Sequence, residues 1–302
     1  MLGELVRNIT VSTSRFNCYV LGVMQDGGLP HMGCNKNCCN SARANGIELF
    51  PASLGIHDTK TDKLMLVDAT PDIAKQVSLL HELSNVPEAN TLFDSLLLTH
   101  AHMGHYAGLI QLGKESCNSN AIPTFTSERM SDFIVNNDPW SQLQKDNNIA
   151  IQTFNGAQKN ETFAPLDGLQ VKAIAVPHRE DFSDTFAFKI SGTDKTILYV
   201  PDIDHLNDAT LLGNLFDGVD IAYIDGTFYD ENELPNRDIT KIPHPFIVRS
   251  VEILQPYADS NPGMIRFIHL NHSNPALTDK RLHIELHQKG FGIALQGEQV
   301  AL

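Results

Sequence analysis

The sequence predicts an α/β protein built from two sheets covered by helices, and three observations carry that expectation. Short, continuous apolar runs such as Lys63–Val67 and Leu96-Leu97-Leu98 have the length of buried strands. Stretches with helical apolar spacing, such as Ile73, Val77 and Leu80, alternate irregularly with them. Hairpin signals occur in both halves, around Asp58–Asp62 and around Gly192-Thr193-Asp194. No internal repeat, low-complexity tract or long linker divides the chain, so residues 1–302 are expected to form one domain.

In chain order, Phe16–Val23 reads as a strand, and Gly27, Gly28, Pro30 and Gly33 make Gln25–Asn37 a loop. Ser53–His57 and Lys63–Val67 are strands joined by a polar turn, and Pro71 suits the start of the helix that follows. The Leu96–Leu98 strand is followed by a helix over Tyr106–Leu112, a strand at Ile122–Phe125 and a helix over Ser127–Val135 with Ser127 as its cap. Trp140, the only tryptophan, either packs in the core or lines a pocket. Further strands are expected at Ala150–Phe154, Leu169–Val176, Phe186–Ile190, Thr196–Val200 and Asp220–Ile224. A charged, proline-containing loop follows at Tyr229–His244. A helix over Phe246–Leu254, a strand at Met264–His269, a helix over Asp279–Lys289 and a terminal strand near Phe291–Leu295 complete the chain.

Composition narrows the function classes. With 302 residues, 42% hydrophobic and 19% charged, the chain can bury a sizeable core. Lys plus Arg is 22 against 36 for Asp plus Glu, a formal charge of −14, which argues against the basic face that nucleic acid requires. An anionic small molecule remains compatible, because a metal supplies local positive charge. No run of eighteen apolar residues is present and Met1–Asn8 lacks a secretory core, so a cytoplasmic protein with no membrane partner is expected. A homodimer is compatible with these features. The five cysteines are an odd number, and Cys34, Cys38 and Cys39 fall within six positions. That clustering points to a metal knot in a reducing compartment rather than to a disulfide framework, with His31 as an additional candidate ligand; merely reduced, buried thiols are the plain alternative.

The chemistry concentrates where apolar runs end in polar residues. His100-Ala101-His102-Met103-Gly104-His105 places three imidazoles within six positions at a strand tip. Neutral imidazole is a common ligand of zinc and similar ions. His178, Asp202 and His269 each follow another apolar strand. A lone histidine at a strand end is usually an ordinary polar residue, and it is the repetition that points to one metal centre. Asp68 also ends a strand, where it either orients a metal-bound histidine or caps a turn. His244 stands between Pro243 and Pro245, which hold the local backbone extended.

The set H-x-H-x-x-H, a later His, an Asp and a final His resembles the metallo-β-lactamase superfamily over nearly the whole chain. Gly22–Pro30, the cysteine cluster, Asp68–Ile73, Asp225-Gly226-Thr227-Phe228 and His269–Pro275 more closely resemble the family of coenzyme PQQ synthesis protein B. The resemblance implies a four-layer αββα sandwich with metal at one edge between the sheets. It assigns His100, His102 and His178 to a first metal site and His105 and His269 to a second, with Asp202 bridging both. The superfamily's second-site aspartate falls at Gly104, which has no ligating side chain, so one ion or two remain open. Glu180, Asp181 and Asp204 are candidates to replace it. Resemblance to a phosphonate-pathway phosphodiesterase further implies a separate structural zinc held by Cys34, Cys38, Cys39 and His272.

The activity implied is metal-dependent hydrolysis of an ester or phosphodiester, with zinc, manganese or iron generating the nucleophile. Asp202 would orient that nucleophile, Asp68 would fix an imidazole tautomer, and His244 would act on the leaving group, bind a substrate anion or serve only the loop. The alternatives are a non-haem iron oxygenase or a cofactor carrier related to PQQ synthesis protein B.

Overall fold

The computed structural model describes residues 14–88, 92–154, 161–233 and 243–302. The Met1–Asn8 segment and positions 234–242 of the predicted Tyr229–His244 loop lie outside the described residues. The first sheet contains β1 (Phe16–Gly22), β2 (Ser53–Asp58), β3 (Lys63–Val67), β4 (Ser95–Leu97), β5 (Ile122–Ser127) and β6 (Ile149–Phe154). The second contains β7 (Thr162–Phe163), β8 (Gln170–Ala175), β9 (Phe186–Ser191), β10 (Thr196–Val200), β11 (Ile221–Asp225), β12 (Ile265–Ile268) and β13 (Phe291–Ile293). The last strand, β14 (Gln299–Ala301), returns to the first sheet beside β1.

The strand orders are β14-β1-β2-β3-β4-β5-β6 and β13-β12-β11-β10-β9-β8-β7. Each sheet is antiparallel at one end and parallel at the other. Parallel neighbours need crossover connections, and helices supply them. In the first sheet these are α2 (Ile73–Ser84), α3 (Met103–Tyr106), α4 (Glu128–Asn136) and α5 (Trp140–Lys145). In the second they are α6 (Ala209–Phe216), α7 (Ile247–Ser260) and α8 (Lys280–Gln288).

Strand periodicity explains the layers. Along β1, Phe16, Cys18 and Val20 join the core between the sheets, which also takes Phe186, Phe188, Ile197 and Tyr199 from the second sheet. The alternate residues Tyr19 and Leu21 join a second core with Ile73, Val77 and Leu80 of α2 and Met130 and Ile134 of α4. Both faces of this sheet are therefore buried, which is why its strands read as continuous apolar runs. The result is a four-layer αββα sandwich.

Several elements differ from the sequence reading. A helix that the sequence reading did not assign, α1 (Asn37–Asn45), starts where the Gln25–Asn37 loop ends and carries Cys38 and Cys39 on its first turn. The predicted Tyr106–Leu112 helix is one α turn at Met103–Tyr106 followed by a 3-10 segment at Ala107–Leu112, where Gly108 lies against the carbonyls of Ala69 and Thr70. The helix after Phe246 continues through Pro256 to Ser260. The predicted terminal strand stops at Ile293, and the chain ends on β14 instead. Trp140 opens α5 and packs against Tyr106 at 5.0 Å between ring centroids, within the helical cover. Ser127 caps α4 as expected, accepting from the amide of Met130.

Asp58 closes the far end of β2. Its carboxylate accepts from Arg15 Nε at 3.0 Å and Nη2 at 2.8 Å, from the Lys60 amide at 3.0 Å and from Thr61 Oγ1 at 2.8 Å. Burial alone would raise its pKa, but Arg15 and the other donors more than offset this and hold it below the usual carboxylate range. Asp58→Ala removes one of the two carboxylates on Arg15, whose Nη2 keeps Asp167 at 2.9 Å, and leaves the Lys60 amide and Thr61 hydroxyl without this acceptor. It is expected to cost about 1–3 kcal/mol in urea unfolding at pH 7. Because the folded-state pKa is depressed, the ionised Asp58 stabilises above the ordinary carboxyl pKa, and that contribution fades as pH falls through the folded value. The variant should therefore lose its deficit in acid.

Candidate metal centre

The residues singled out at the strand ends meet at one edge of the sandwich. Asp68 follows β3, Thr99 and His100 follow β4, and His178 follows β8. Asp202 follows β10, Asp225 ends β11 and His269 follows β12. These are carboxyl ends of strands, where crossovers leave the chain free to turn and ligands gather. Asp68 and His269 both adopt left-handed backbone, with φ of 67° and 61°, which turns each chain sharply at its strand end.

Outer hydrogen bonds fix the imidazoles. Asp68 is fully buried and accepts from the Thr99 amide at 2.9 Å, from Thr99 Oγ1 at 2.9 Å and from His105 Nδ1 at 2.8 Å. With its proton given to Asp68, Thr99 Oγ1 is left to accept from His100 Nδ1 at 2.9 Å. His178 Nδ1 donates to Asp204 Oδ1 at 2.8 Å. In their neutral forms, His100, His105 and His178 therefore present bare Nε2 lone pairs inward.

Those lone pairs face acceptors rather than donors. His100 Nε2 lies 2.9 Å and His178 Nε2 3.1 Å from His102 Nδ1. One proton on His102 can satisfy only one of them. Asp202 stands between the rings: Oδ2 is 2.8 Å from His105 Nε2 and 3.4 Å from His100 Nε2, while Oδ1 is 3.7 Å from His178 Nε2. His102 Nε2, His105 Nε2 and His269 Nε2 have no hydrogen-bond partner. A cation fits this donor set. His100, His102 and His178 form one group of potential ligands, and His100, His105 and Asp202 form another.

Charge is arranged to match. Burial, reinforced by neighbouring imidazoles, pushes His100 well below its usual pKa and His102 down to about 4. Burial lowers His178 as well. These three favour the neutral form that ligates metals. His105 behaves oppositely: burial disfavours its charge, but the carboxylates of Asp68 and Asp202 overcome that and raise its pKa. Asp202 is held well below its usual value because His269 and His105 outweigh the penalty of burial.

His244 also reaches the centre. Its Nδ1 is 2.7 Å from Asp225 Oδ2 and 3.6 Å from Asp202 Oδ1. Asp225 further accepts from the amide and hydroxyl of Thr227, and Thr227 Oγ1 lies 3.0 Å from His269 Nδ1. Sequence reasoning did not give Asp225 or Thr227 roles of their own, although Asp225 ends an apolar strand as Asp202 does.

The other candidates are placed as follows. Cys34, Cys38, Cys39 and His272 bring four ligand atoms within 4.8 Å of one another, with Cys38 and Cys39 on the first turn of α1. His31 is outside that group and stacks on His272 at 4.4 Å between centroids. Glu180 pairs with Arg129, Asp204 holds His178, and Asp181 Oδ2 lies 3.6 Å from His102 Nε2. Among the described residues, none of the three makes an ion-pair contact with His105 or His269. A different carboxylate does: Asp26 Oδ1 is 3.9 Å from His105 Nε2 and 3.8 Å from His269 Nε2.

Paired sheets with imidazoles and a central carboxylate at their shared edge define an αββα protein with a candidate metal site. The sequence matches the Beta-lactamase superfamily domain over residues 64–270, and the chain belongs to that superfamily. It is 24% identical to coenzyme PQQ synthesis protein B of Nitrosococcus oceani over 320 aligned residues, covering 94% of this chain and 99% of that one. Zn2+-bound PqqB from Methylobacterium extorquens shares the fold with a TM-score of 0.77 at 21% identity, over 95% of this chain and 100% of the other. A diphosphatase from the PhnP family shares it with a TM-score of 0.66 at 19% identity, over 94% and 96%. Among the described residues no helix is long and apolar enough to cross a membrane.

The His244–Asp225 pair is directly measurable in metal-free protein. Burial opposes the imidazolium, but the Asp225 carboxylate overcomes it and raises the His244 pKa to about 9. NMR titration should show His244 protonated through neutral pH. In Asp225→Asn, burial acts unopposed by that charge, and the midpoint should fall by about 2 units or more. The raised value means that the charged pair stabilises the fold below the ordinary histidine pKa and loses that contribution as pH rises through about 9.

Proposed function

We propose that this protein is a metal-dependent hydrolase of a small, anionic ester or phosphodiester. The observation that carries the reading is the convergence of His100 Nε2, His178 Nε2 and His102 Nδ1, at 2.9 Å and 3.1 Å, with Asp202 beside them. A bound ion would lower the pKa of water towards neutrality and polarise the scissile group. His100, His102 and His178 would hold one ion, and Asp202 would orient the nucleophilic water and accept its proton. Asp68 fixes the rings of His105 directly and His100 through Thr99. His244, charged by Asp225, is suited to receive an anionic oxygen or to protonate a leaving group. The likeness in fold to a diphosphatase supports a phosphorus ester as the first substrate class to try.

His100→Ala/His102→Ala is expected to lower metal-dependent hydrolysis of generic phosphodiesters by at least about 1,000-fold while the far-ultraviolet circular dichroism stays that of wild type. Full activity in that variant would sink the reading. The ligand set admits a second one, oxidation at iron, because a histidine-rich set with one carboxylate also suits that metal. Elemental analysis of protein purified without added metal separates them. Zinc or manganese with esterase activity supports hydrolysis, and iron with oxygen uptake supports oxidation.

We further propose a structural zinc at Cys34, Cys38, Cys39 and His272, a closed set of four soft or borderline ligands. His272 Nδ1 is buried without a partner, and burial lowers its pKa to about 4, which leaves it neutral for ligation. Chelation, or Cys39→Ser, should lower the melting temperature by about 5 °C or more. An unchanged melting temperature under both treatments would count against the site.

A further inference from the structure

We propose that Asp26 is a metal-ligating carboxylate which, with His105 and His269, forms a second ion site beside that of His100, His102 and His178. The inference rests on the metal reading above and specifies how many ions the centre takes. His105 and His269 are almost wholly buried, and the Nε2 atom of each lacks a hydrogen-bond partner. Both atoms point to the same place, because Asp26 Oδ1 lies 3.9 Å from one and 3.8 Å from the other. The three ligand atoms all lie within 4.8 Å of one another, close enough to serve one ion. Asp202 Oδ2, 2.8 Å from His105 Nε2, lies at the boundary with the first group.

Gly104 makes room for this carboxylate. A Cβ at position 104 would lie 1.9 Å from Asp26 Oδ1 and 2.7 Å from its Cγ. A side chain there and Asp26 in its present place exclude each other. The motif residue is thus a glycine where a carboxylate from another segment has moved in.

Main-chain bonds hold Asp26 in register with His269. Asp26 sits in a turn closed by the Gly28 amide on the Gln25 carbonyl at 2.9 Å, with Gly28 in left-handed backbone at φ 63°. The Gln25 amide donates to the Leu270 carbonyl at 2.9 Å, and the Leu270 amide donates to the Val23 carbonyl at 2.8 Å. The residue before Asp26 and the residue after His269 are therefore bonded to each other. Asp26 is about half exposed, so it closes the rim of the centre while the two histidines form its floor.

The test counts ions. Holoprotein prepared in Mn2+ is compared with Asp26→Ala, Asp26→Asn and His105→Ala by elemental analysis, Mn2+ titration and EPR. Metal at the cysteine group is common to all and cancels in the differences. Wild type is expected to hold two ions among the histidines and to show the EPR signal of a spin-coupled pair. Asp26→Ala and His105→Ala should each hold one, with affinity for the second ion reduced at least about 100-fold, and the signal should become that of an isolated ion. Asp26→Asn keeps the shape of the turn and guards against misfolding; its second-ion affinity should fall about 10-fold or more. Two ions held at unchanged affinity in both Asp26 variants overturn the inference and leave the metal reading standing. A wild type with a single ion among the histidines overturns it too. A wild type with none overturns the metal reading and this inference with it.

Discussion

The structure is arranged around a group of acceptors that have been turned to face one another. A buried nitrogen lone pair ordinarily finds a donor, because leaving it without one costs free energy comparable to a lost hydrogen bond. At this centre the donors are used on the outside. Asp68, Asp204 and the Thr99 hydroxyl engage the Nδ1 atoms of His105, His178 and His100, and the inner nitrogens are left to converge on Asp202. Apolar packing cannot satisfy such an arrangement, whereas a proton or a cation can. The surrounding fold must hold these groups in place against that unfavourable proximity, and two fully packed sheets supply the rigidity.

The topology explains how six separate segments reach one edge. Each sheet begins as an antiparallel meander and ends as a parallel array, and the parallel strands send their carboxyl ends the same way. Asp225 is the last residue of such a strand, and Asp68, His100, Asp202 and His269 stand one to three residues beyond one. Asp68 and His269 occupy left-handed backbone that non-glycine residues seldom adopt, typically at a cost of about 1–3 kcal/mol each. In both cases the side chain gained is one on which the centre depends.

What the sequence made legible follows from the same geometry. A buried strand reads as an apolar run, and a polar residue at its end stands out, so the histidines, Asp202 and Asp68 were visible in order. The strand at β1 and the two hairpins were visible for the same reason. Asp26 was not, because it lies in a glycine-flanked turn where an aspartate is the expected turn former. Only the contact between that turn and Leu270, 244 positions later, gives it a second meaning. Glu180, Asp181 and Asp204 were closer in sequence to a recognised ligand and drew attention for that reason, yet their partners are Arg129, Arg179 or His102, and His178. The first turn of α1 was equally hidden. Asn, Cys and Ser are weak helix formers, and tertiary packing of Cys39 and Ala42 decides the matter.

The short segment His269-Leu270-Asn271-His272 ties these features together. Its first residue faces Asp26 and Asp202, and its last belongs to the cysteine group. Between them, Leu270 bonds through both main-chain groups to the chain around Gln25, and the Asn271 amide bonds to the carbonyl of Thr227. Thr227 in turn reaches Asp225, His244 and His269. With the proposed metal at the cysteines, anchoring His272 there would restrict the backbone that presents His269, and through Leu270 the turn that presents Asp26. A closed four-ligand cluster there would act on the histidine centre by removing freedom from one four-residue stretch. That is a mechanical reason for an early cysteine cluster and a late histidine to lie together beside this centre.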